Sequence, residues 1–128
     1  MARFDGEVGS LLEDGWSLDG ADGEGRAVRL VFGDTELTRA YLGLTIGRHP
    51  KLCERVVDDT TVSRRHLRVG VREAELFAED VNSLNGTLLD GQRLTPFQAV
   101  RVRSGQRLTL GRLVLVVRRI SEHSPRPA

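Results

Sequence analysis

Residues 63–87 read SRRHLRVGVREAELFAEDVNSLNGT. Inside this stretch Leu67, Val69 and Val71 alternate with Arg68 and Arg72, and Leu76 and Ala78 follow with Glu75 and Glu79 between them. A period of two with one apolar face is the pattern of a half-buried antiparallel strand, so the spacing predicts two paired strands around a turn near Glu73. Arg68 and Arg72 are then expected opposite the glutamates, in pairs that contribute only about 0.2–1 kcal/mol each and so tune register without deciding the fold. The polar ends of the stretch, Ser63-Arg64-Arg65-His66 and Asp80 to Thr87, fall where the alternation stops. A third such cluster, Gly47-Arg48, stands where Leu42, Leu44 and Ile46 run out. Loops at strand ends are where functional residues collect.

Outward from this centre the same period recurs. Val28, Leu30 and Phe32 share one face of a strand closed by Gly33-Asp34, whereas Thr35 to Tyr41 is open between strand and a single helical turn. His49 to Thr61 is turn-rich, with one very short strand at Val56-Val57. Asp90-Gly91, flanked by Leu88-Leu89 and Gln92 to Leu94, is a two-residue hairpin signal because both turn positions require positive φ. Ala99 to Val102, Gln106 to Leu110 and Leu113 to Ile120 complete the series, and apolar residues on both faces of the last mark it as central. Nine or ten short strands with no convincing long helix predict an all-β sandwich. The domain is expected over 27–120. Residues 1–26, rich in glycine and acids, read as a flexible extension in which Val8, Leu11, Leu12 and Trp16 have no settled role, and 121–128, with Pro125 and Pro127, read as a frayed tail.

A chain of 128 residues supports one domain with a core of its own. Its formal net charge of +1 hides an asymmetry, since 1–26 hold seven acids against Arg3 and Arg26 and the rest of the chain is basic. A basic body suits an anionic partner, although arginines spread over a solvated surface serve solubility equally well. The single Cys53 forms no internal disulfide and no apolar stretch approaches the roughly 20 residues of a membrane span, which points to a cytoplasmic protein with no membrane partner. Cys53, His49, His66 and His123 lack zinc-like spacing, so no metal or cofactor is expected. The exposed aromatic interleaving of single-strand readers is missing, which leaves nucleic-acid binding a remote alternative. Ser63 and His66 with Asp58 or Asp80 would be the only hydrolase set, without a nucleophile elbow to support it, so no enzyme activity is expected.

What the three clusters offer together is an anion site. Arg48 supplies a planar fork of donors suited to phosphate. Ser63 adds a hydroxyl, Arg64 or Arg65 a second cation, and the N–H groups of the Ser63-Arg64 turn further donors. Asn85 carries donors and an acceptor that can pair with the main chain of an extended peptide, although Asn85-Gly86 also reads as a plain type I′ turn.

Gly47-Arg48, then Ser63-x-x-His66, then Asp80 and Ser83-x-Asn85-Gly86-Thr87, in this order, resemble the signature of forkhead-associated (FHA) domains over roughly residues 27–120. The resemblance implies a sandwich of two twisted antiparallel sheets with about eleven strands, binding phosphothreonine peptides through loops at one end without catalysis. It implies that Arg48, Ser63 and Arg64 hold phosphate, that Asn85 reads the peptide main chain, and that Gly47, His66, Gly86 and Thr87 support the site. Thr61, Asn82, Ser83 and Leu84 are expected to border the peptide, with Leu84 standing where the family commonly has threonine. The implied partner is a Thr-phosphorylated protein, such as a Ser/Thr kinase or its substrate, bound in trans by a monomer, because residues 1–26 contain Ser10 and Ser17 but no threonine to phosphorylate. The alternative is an FHA-shaped scaffold in a larger assembly, for example a secretion-linked one, with little dependence on phosphate.

Overall fold

The computed structural model describes residues 13–121. In chain order it runs β1 (Gly15–Ala21), β2 (Ala27–Gly33), α1 (Asp34–Arg39), β3 (Leu44–Gly47), β4 (Arg55–Val56), β5 (Leu67–Arg72) and β6 (Glu75–Asp80). There follow β7 (Thr87–Leu89), β8 (Gln92–Arg93), β9 (Val100–Val102), β10 (Arg107–Leu110) and β11 (Leu113–Ile120). Thr35 to Tyr41, open in the sequence, divides into most of α1 and a turn. Two sheets face each other, in the orders β2-β1-β11-β10-β7-β8 and β4-β3-β5-β6-β9. All pairings are antiparallel except β3 with β4, where Ile46 stands beside Arg55 in parallel register.

Alternation builds the core. Leu67 and Val69 of β5, Leu76 and Ala78 of β6, and Leu44 and Ile46 of β3 turn inward from one sheet. Trp16 and Leu18 of β1, Leu30 and Phe32 of β2, Leu108 and Leu110 of β10, and Leu113, Leu115 and Val117 of β11 meet them from the other. The strand with apolar residues on both faces, β11, lies between β1 and β10 as its composition requires. At the β7–β8 turn, Asp90 and Gly91 adopt φ of 49° and 84°, the positive pair the hairpin signal demands. Of the two expected cross-strand ion pairs, Arg68 approaches Glu79 at 3.8 Å. Arg72 lies over the Phe77 ring instead, and Glu75 is taken by Arg101 of β9 at 2.8 Å.

The N-terminal expectation needs correction. Residues 15–21, read as flexible, form a strand paired along its whole length with both β2 and β11. Trp16 and Leu18 carried the period-two signal, but Gly15 and Gly20 on either side masked it. Gly20 is there because β11 leaves no room: a Cβ on it would fall 1.7 Å from the Val114 carbonyl oxygen. The domain therefore includes β1, whereas residues 1–12 and 122–128, called extension and tail above, lie outside the described residues.

One end of the sandwich gathers the C-terminal end of β3, the 57–66 connection and the 81–86 loop. The opposite end carries the tight turns at Glu73-Ala74, Asp90-Gly91 and Ser104-Gly105. The functional clusters are all at the first.

Candidate functional site: an anion pocket at one end of the sandwich

The pocket starts with the exit of β3. Gly47 must be a glycine because the 63–65 turn lies against it, so close that a Cβ would be 2.2 Å from the Arg64 carbonyl oxygen. The contact is made by the main chain: Arg48 N–H donates to Ser63 O at 3.0 Å and His49 N–H to Arg64 O at 3.3 Å. Arg48 then folds its side chain over the turn, and its Nε donates to the Val62 carbonyl at 2.9 Å. That bond fixes the plane of the guanidinium. Among the described residues no other bond engages its Nη groups. Arg48 is exposed, lines a pocket of about 390 Å³ and is shaped to take two oxygens of one anion.

The 59–66 turn is held from beneath by two groups. The buried Asp59 carboxylate accepts the N–H and hydroxyl of Thr61 and, at 2.8 Å, the N–H of Gly23. Burial pushes this carboxyl up, but the hydrogen bonds from Thr61 and Gly23 outweigh it and hold it below the usual carboxylate range. The second group is His66, fully buried, whose N–H bonds to the Ile46 carbonyl. Its Nδ1 accepts the Ser63 N–H at 3.0 Å, so the ring proton resides on Nε2, which donates to the Gly86 carbonyl at 3.0 Å. Burial lowers the pKa of this imidazole against the opposing pull of the Gly86 carbonyl and Asp80, which keeps it neutral.

This geometry settles two expectations. The Ser63 N–H serves His66 and is not offered to a ligand. His66 bonds to the Ser63 main chain and to Gly86, not to the Ser63 hydroxyl, so the pair has no nucleophile–base geometry.

The 80–87 loop turns around the buried Asp80. Its Oδ1 accepts the N–H groups of Asn82 and Ser83 at 2.8 and 2.9 Å, and its Oδ2 accepts the hydroxyls of Ser83 and Thr87, both at 2.6 Å. Burial alone would raise this carboxyl, but the donors from Ser83, Thr87 and Asn82 reverse the shift and lower it. Asn82, with φ of 69°, and Gly86, with φ of 83°, take the positive-φ positions. Asn85 is not among them, so Asn85-Gly86 is not a type I′ turn.

The two loops are then joined. Leu84 N–H donates to Ser63 Oγ at 2.9 Å, which leaves the Ser63 hydroxyl proton to point elsewhere. Asn85 Nδ2 donates to the Thr61 carbonyl at 2.8 Å, which fixes the carboxamide at the rim.

Of the residues singled out in the sequence, Arg48, Ser63, Arg64, Asn85, Thr61, Asn82 and Leu84 line this one pocket, with Arg65 beside them. Leu84 is 87% exposed. Ser83, expected along the peptide, is instead buried with its hydroxyl turned inward to Asp80. Thr61 reaches the pocket with its hydroxyl already engaged, donating to Asp59 and accepting the Arg112 N–H at 2.8 Å. Gly47, His66, Gly86 and Thr87 lie in the layer beneath. Asp80 and Asp59 received no structural role from the sequence. Their signals were present, since an Asp two or three residues before Ser or Thr favours capping of the following N–H groups. Among the described residues no group of three or more His, Cys, Asp or Glu side chains is placed to hold a metal ion.

The family model described as "FHA domain" matches residues 44–111, which hold all three clusters. The chain belongs to the FHA family. FHA domains are phosphothreonine-binding modules, and the two-sheet, eleven-strand architecture is theirs. FhaB of Mycolicibacterium smegmatis, an FHA domain-containing protein, is 37% identical over 90 residues, covering 66% of this chain and 57% of the relative. The oxoglutarate dehydrogenase inhibitor of Corynebacterium glutamicum is 39% identical over 72 residues, 56% of this chain and 48% of the relative. The chain thus spans about half the length of the curated relatives it matches. A solved structure from work on phosphothreonine-dependent FHA domain interactions superposes with a TM-score of 0.61 at 26% identity, covering 89% of this chain and 99% of that one. Among the described residues no helix is long and apolar enough to cross a membrane.

Proposed function

We propose that this chain binds segments of another protein phosphorylated on threonine and acts as a recognition module in Ser/Thr-kinase-linked signalling. The phosphate is taken by the Arg48 guanidinium, the Ser63 hydroxyl and Arg64, and the Asn85 carboxamide pairs with the main chain of the segment. The observation that carries this reading is the convergence of Arg48, Ser63 and Asn85 on one pocket, with Arg48 already oriented by the Val62 carbonyl. A pre-positioned fork gives up little freedom on binding. The phosphorylated segment is supplied by another protein, and Ser17 of this chain is buried within β1 with its hydroxyl on Asp19. The module works as a monomer in the cytoplasm and performs no catalysis.

The exposed Leu84 favours a second reading, a scaffold of the same shape with little phosphate dependence, because a hydroxyl common in the family is missing at the rim. Against it, the contact Leu84 makes to Ser63 is through the main chain and does not depend on the side chain. Calorimetry separates the two. A phosphothreonine peptide is expected to bind with micromolar affinity, about −8 kcal/mol, and its unphosphorylated twin not at all. Equal binding of the two peptides establishes the scaffold.

A further inference from the structure

The 57–66 connection belongs to neither sheet, yet two ligand-facing side chains lean on it. Asn85 Nδ2 donates to the Thr61 carbonyl, and Arg48 Nε donates to the carbonyl of the next residue, Val62. Where these two carbonyls stand, the carboxamide and the guanidinium follow. Main-chain bonds to β3 and its exit hold Val57 and residues 63–66, but among the described residues the 58–62 middle has no main-chain bond to a strand. Side chains must fix it.

The fixing starts from a turn remote in sequence. In the β1–β2 turn, residues 22–26, Asp22 Oδ1 accepts the N–H groups of Glu24 and Arg26, both at 2.9 Å, and Oδ2 accepts Arg26 Nε at 2.8 Å. Two donors then leave this self-fastened turn for the middle of the connection. Arg26 Nη2 donates to the Asp58 carbonyl at 2.9 Å, and Gly23 N–H donates to Asp59 Oδ2 at 2.8 Å. The buried Asp59 passes the constraint on, because its Oδ1 accepts both the N–H and the hydroxyl of Thr61. The β10–β11 turn closes on the same residue: Arg112 N–H donates to the Thr61 hydroxyl, and a Cβ on Gly111 would lie 2.4 Å from the Thr61 carbonyl oxygen. That oxygen is the one Asn85 uses. Neither Asp59 nor any residue of the β1–β2 turn lines the pocket, and the turn precedes the 44–111 match to the family model.

Resting on the phosphothreonine reading above, we propose that Asp59 is a positioning residue for peptide recognition. Anchored with Asp58 by Gly23 and Arg26 of the β1–β2 turn, it sets Thr61, and through the Thr61 carbonyl it sets the orientation in which Asn85 meets the peptide main chain. The β1–β2 turn thus belongs to the recognition apparatus while touching no ligand. A carboxamide held in one orientation gives up less freedom on binding than one that rotates. Arg48 depends less on the Asp59 side chain, because Asp59 reaches Val62 only by its main-chain carbonyl, which accepts the Val62 N–H at 3.0 Å.

The test uses the whole chain, a labelled phosphothreonine peptide in fluorescence anisotropy, and amide spectra of the unliganded chain that follow the Asn85 side-chain NH2. Thr61→Val keeps the shape of the side chain and loses the hydroxyl between Asp59 and Arg112, whereas Thr61→Ser keeps the hydroxyl and loses the methyl. Asp59→Asn and Thr61→Val should each weaken peptide binding about threefold to tenfold, and Arg26→Ala about twofold to threefold. Thr61→Ser should bind more tightly than Thr61→Val. In an Asn85→Ala background, Asp59→Asn and Thr61→Val should each change affinity by less than about twofold, since the group they align is gone. Without peptide, Asp59→Asn, Thr61→Val and Arg26→Ala should move the Asn85 NH2 resonances toward those of a solvated carboxamide. The exposed Arg26 and the Thr61 pair carry the test should Asp59→Asn fail to fold. Tighter binding by Thr61→Val than by Thr61→Ser assigns Thr61 to direct contact through its methyl and overturns the proposal. Losses that persist in full in the Asn85→Ala background, or Asn85 resonances that stay in place, overturn it as well. Each of these outcomes leaves phosphothreonine recognition standing, whereas absence of phosphopeptide binding by the wild-type chain defeats that reading and the proposal with it.

Discussion

The two ends of the sandwich are built by different means. At the far end, neighbouring strands are joined by tight turns such as Glu73-Ala74 and Asp90-Gly91, where φ is positive and the ladder on either side does the holding. At the pocket end the connections are longer and leave the ladder, so side chains fasten them: Asp80 gathers the 82–87 loop, Asp59 the start of the 59–66 turn, and His66 clamps that turn to Gly86. Strand pairing makes the far turns cheap and replaceable. The pocket loops depend on a few buried polar groups, which places recognition and stability in separate layers: Arg48 and Asn85 at the rim, and His66 and Asp80 beneath.

That separation can be broken by mutation. Arg48→Ala should reduce affinity for a phosphothreonine peptide beyond detection, a loss of about 3 kcal/mol or more, with the melting temperature nearly unchanged. Similar binding by wild type and mutant in calorimetry would remove Arg48 from the phosphate site. Asp80→Ala should do the reverse. It strips four donors of their acceptor and is expected to cost about 2–4 kcal/mol in denaturant unfolding, whereas loss of less than about 1 kcal/mol would mean the loop does not depend on its carboxylate.

Acid separates the ends further. His66 has a folded-state pKa below its ordinary 6.5, so on acidification the unfolded chain takes up the proton first and stability falls as pH drops below about 6.5. Asp80 and Asp59, lowered in the folded state, contribute stability that is present above the unfolded carboxylate value and lost only as pH falls well below 4. Hydrogen exchange between pH 7 and 5 should therefore loosen the amides of Ser63, which donates to His66, and Leu84, which donates to Ser63, before those of the Asp90-Gly91 hairpin. Uniform loosening would mean that His66 does not hold the pocket end.

The smallest effect belongs to the far end. Ala74 sits at φ of 67°, a region that disfavours residues with a Cβ, and nothing but the turn itself requires it. Ala74→Gly should raise stability by about 0.5 kcal/mol with no change in peptide affinity. A change in affinity would show that the ends communicate.

The two ends also differed in how far the sequence reveals them. The sandwich was legible wherever alternation was clean, as in β5, β6 and β11, and the Asp90-Gly91 hairpin followed from φ alone. β1 was obscured because Gly20, needed for the close approach of β11, looks in sequence like a linker glycine. The parallel pairing of β4 with β3 was equally hidden, since two residues carry no period. At the pocket, Arg48, Ser63 and Asn85 stood out because such side chains at loop positions suit a ligand. Ser83 was misplaced for the same reason, since a loop serine can face a ligand or its own main chain and only the Asp80 geometry decides.

The most direct test follows backbone amide resonances during titration with a phosphothreonine peptide and, separately, with its unphosphorylated twin. The expected result is saturable change at Arg48, Ser63, Arg64 and Asn85 with the phosphorylated peptide alone, and none at Ala74 or Gly91. Change centred on the far turns, or the same change with both peptides, would contradict phosphate recognition at this pocket.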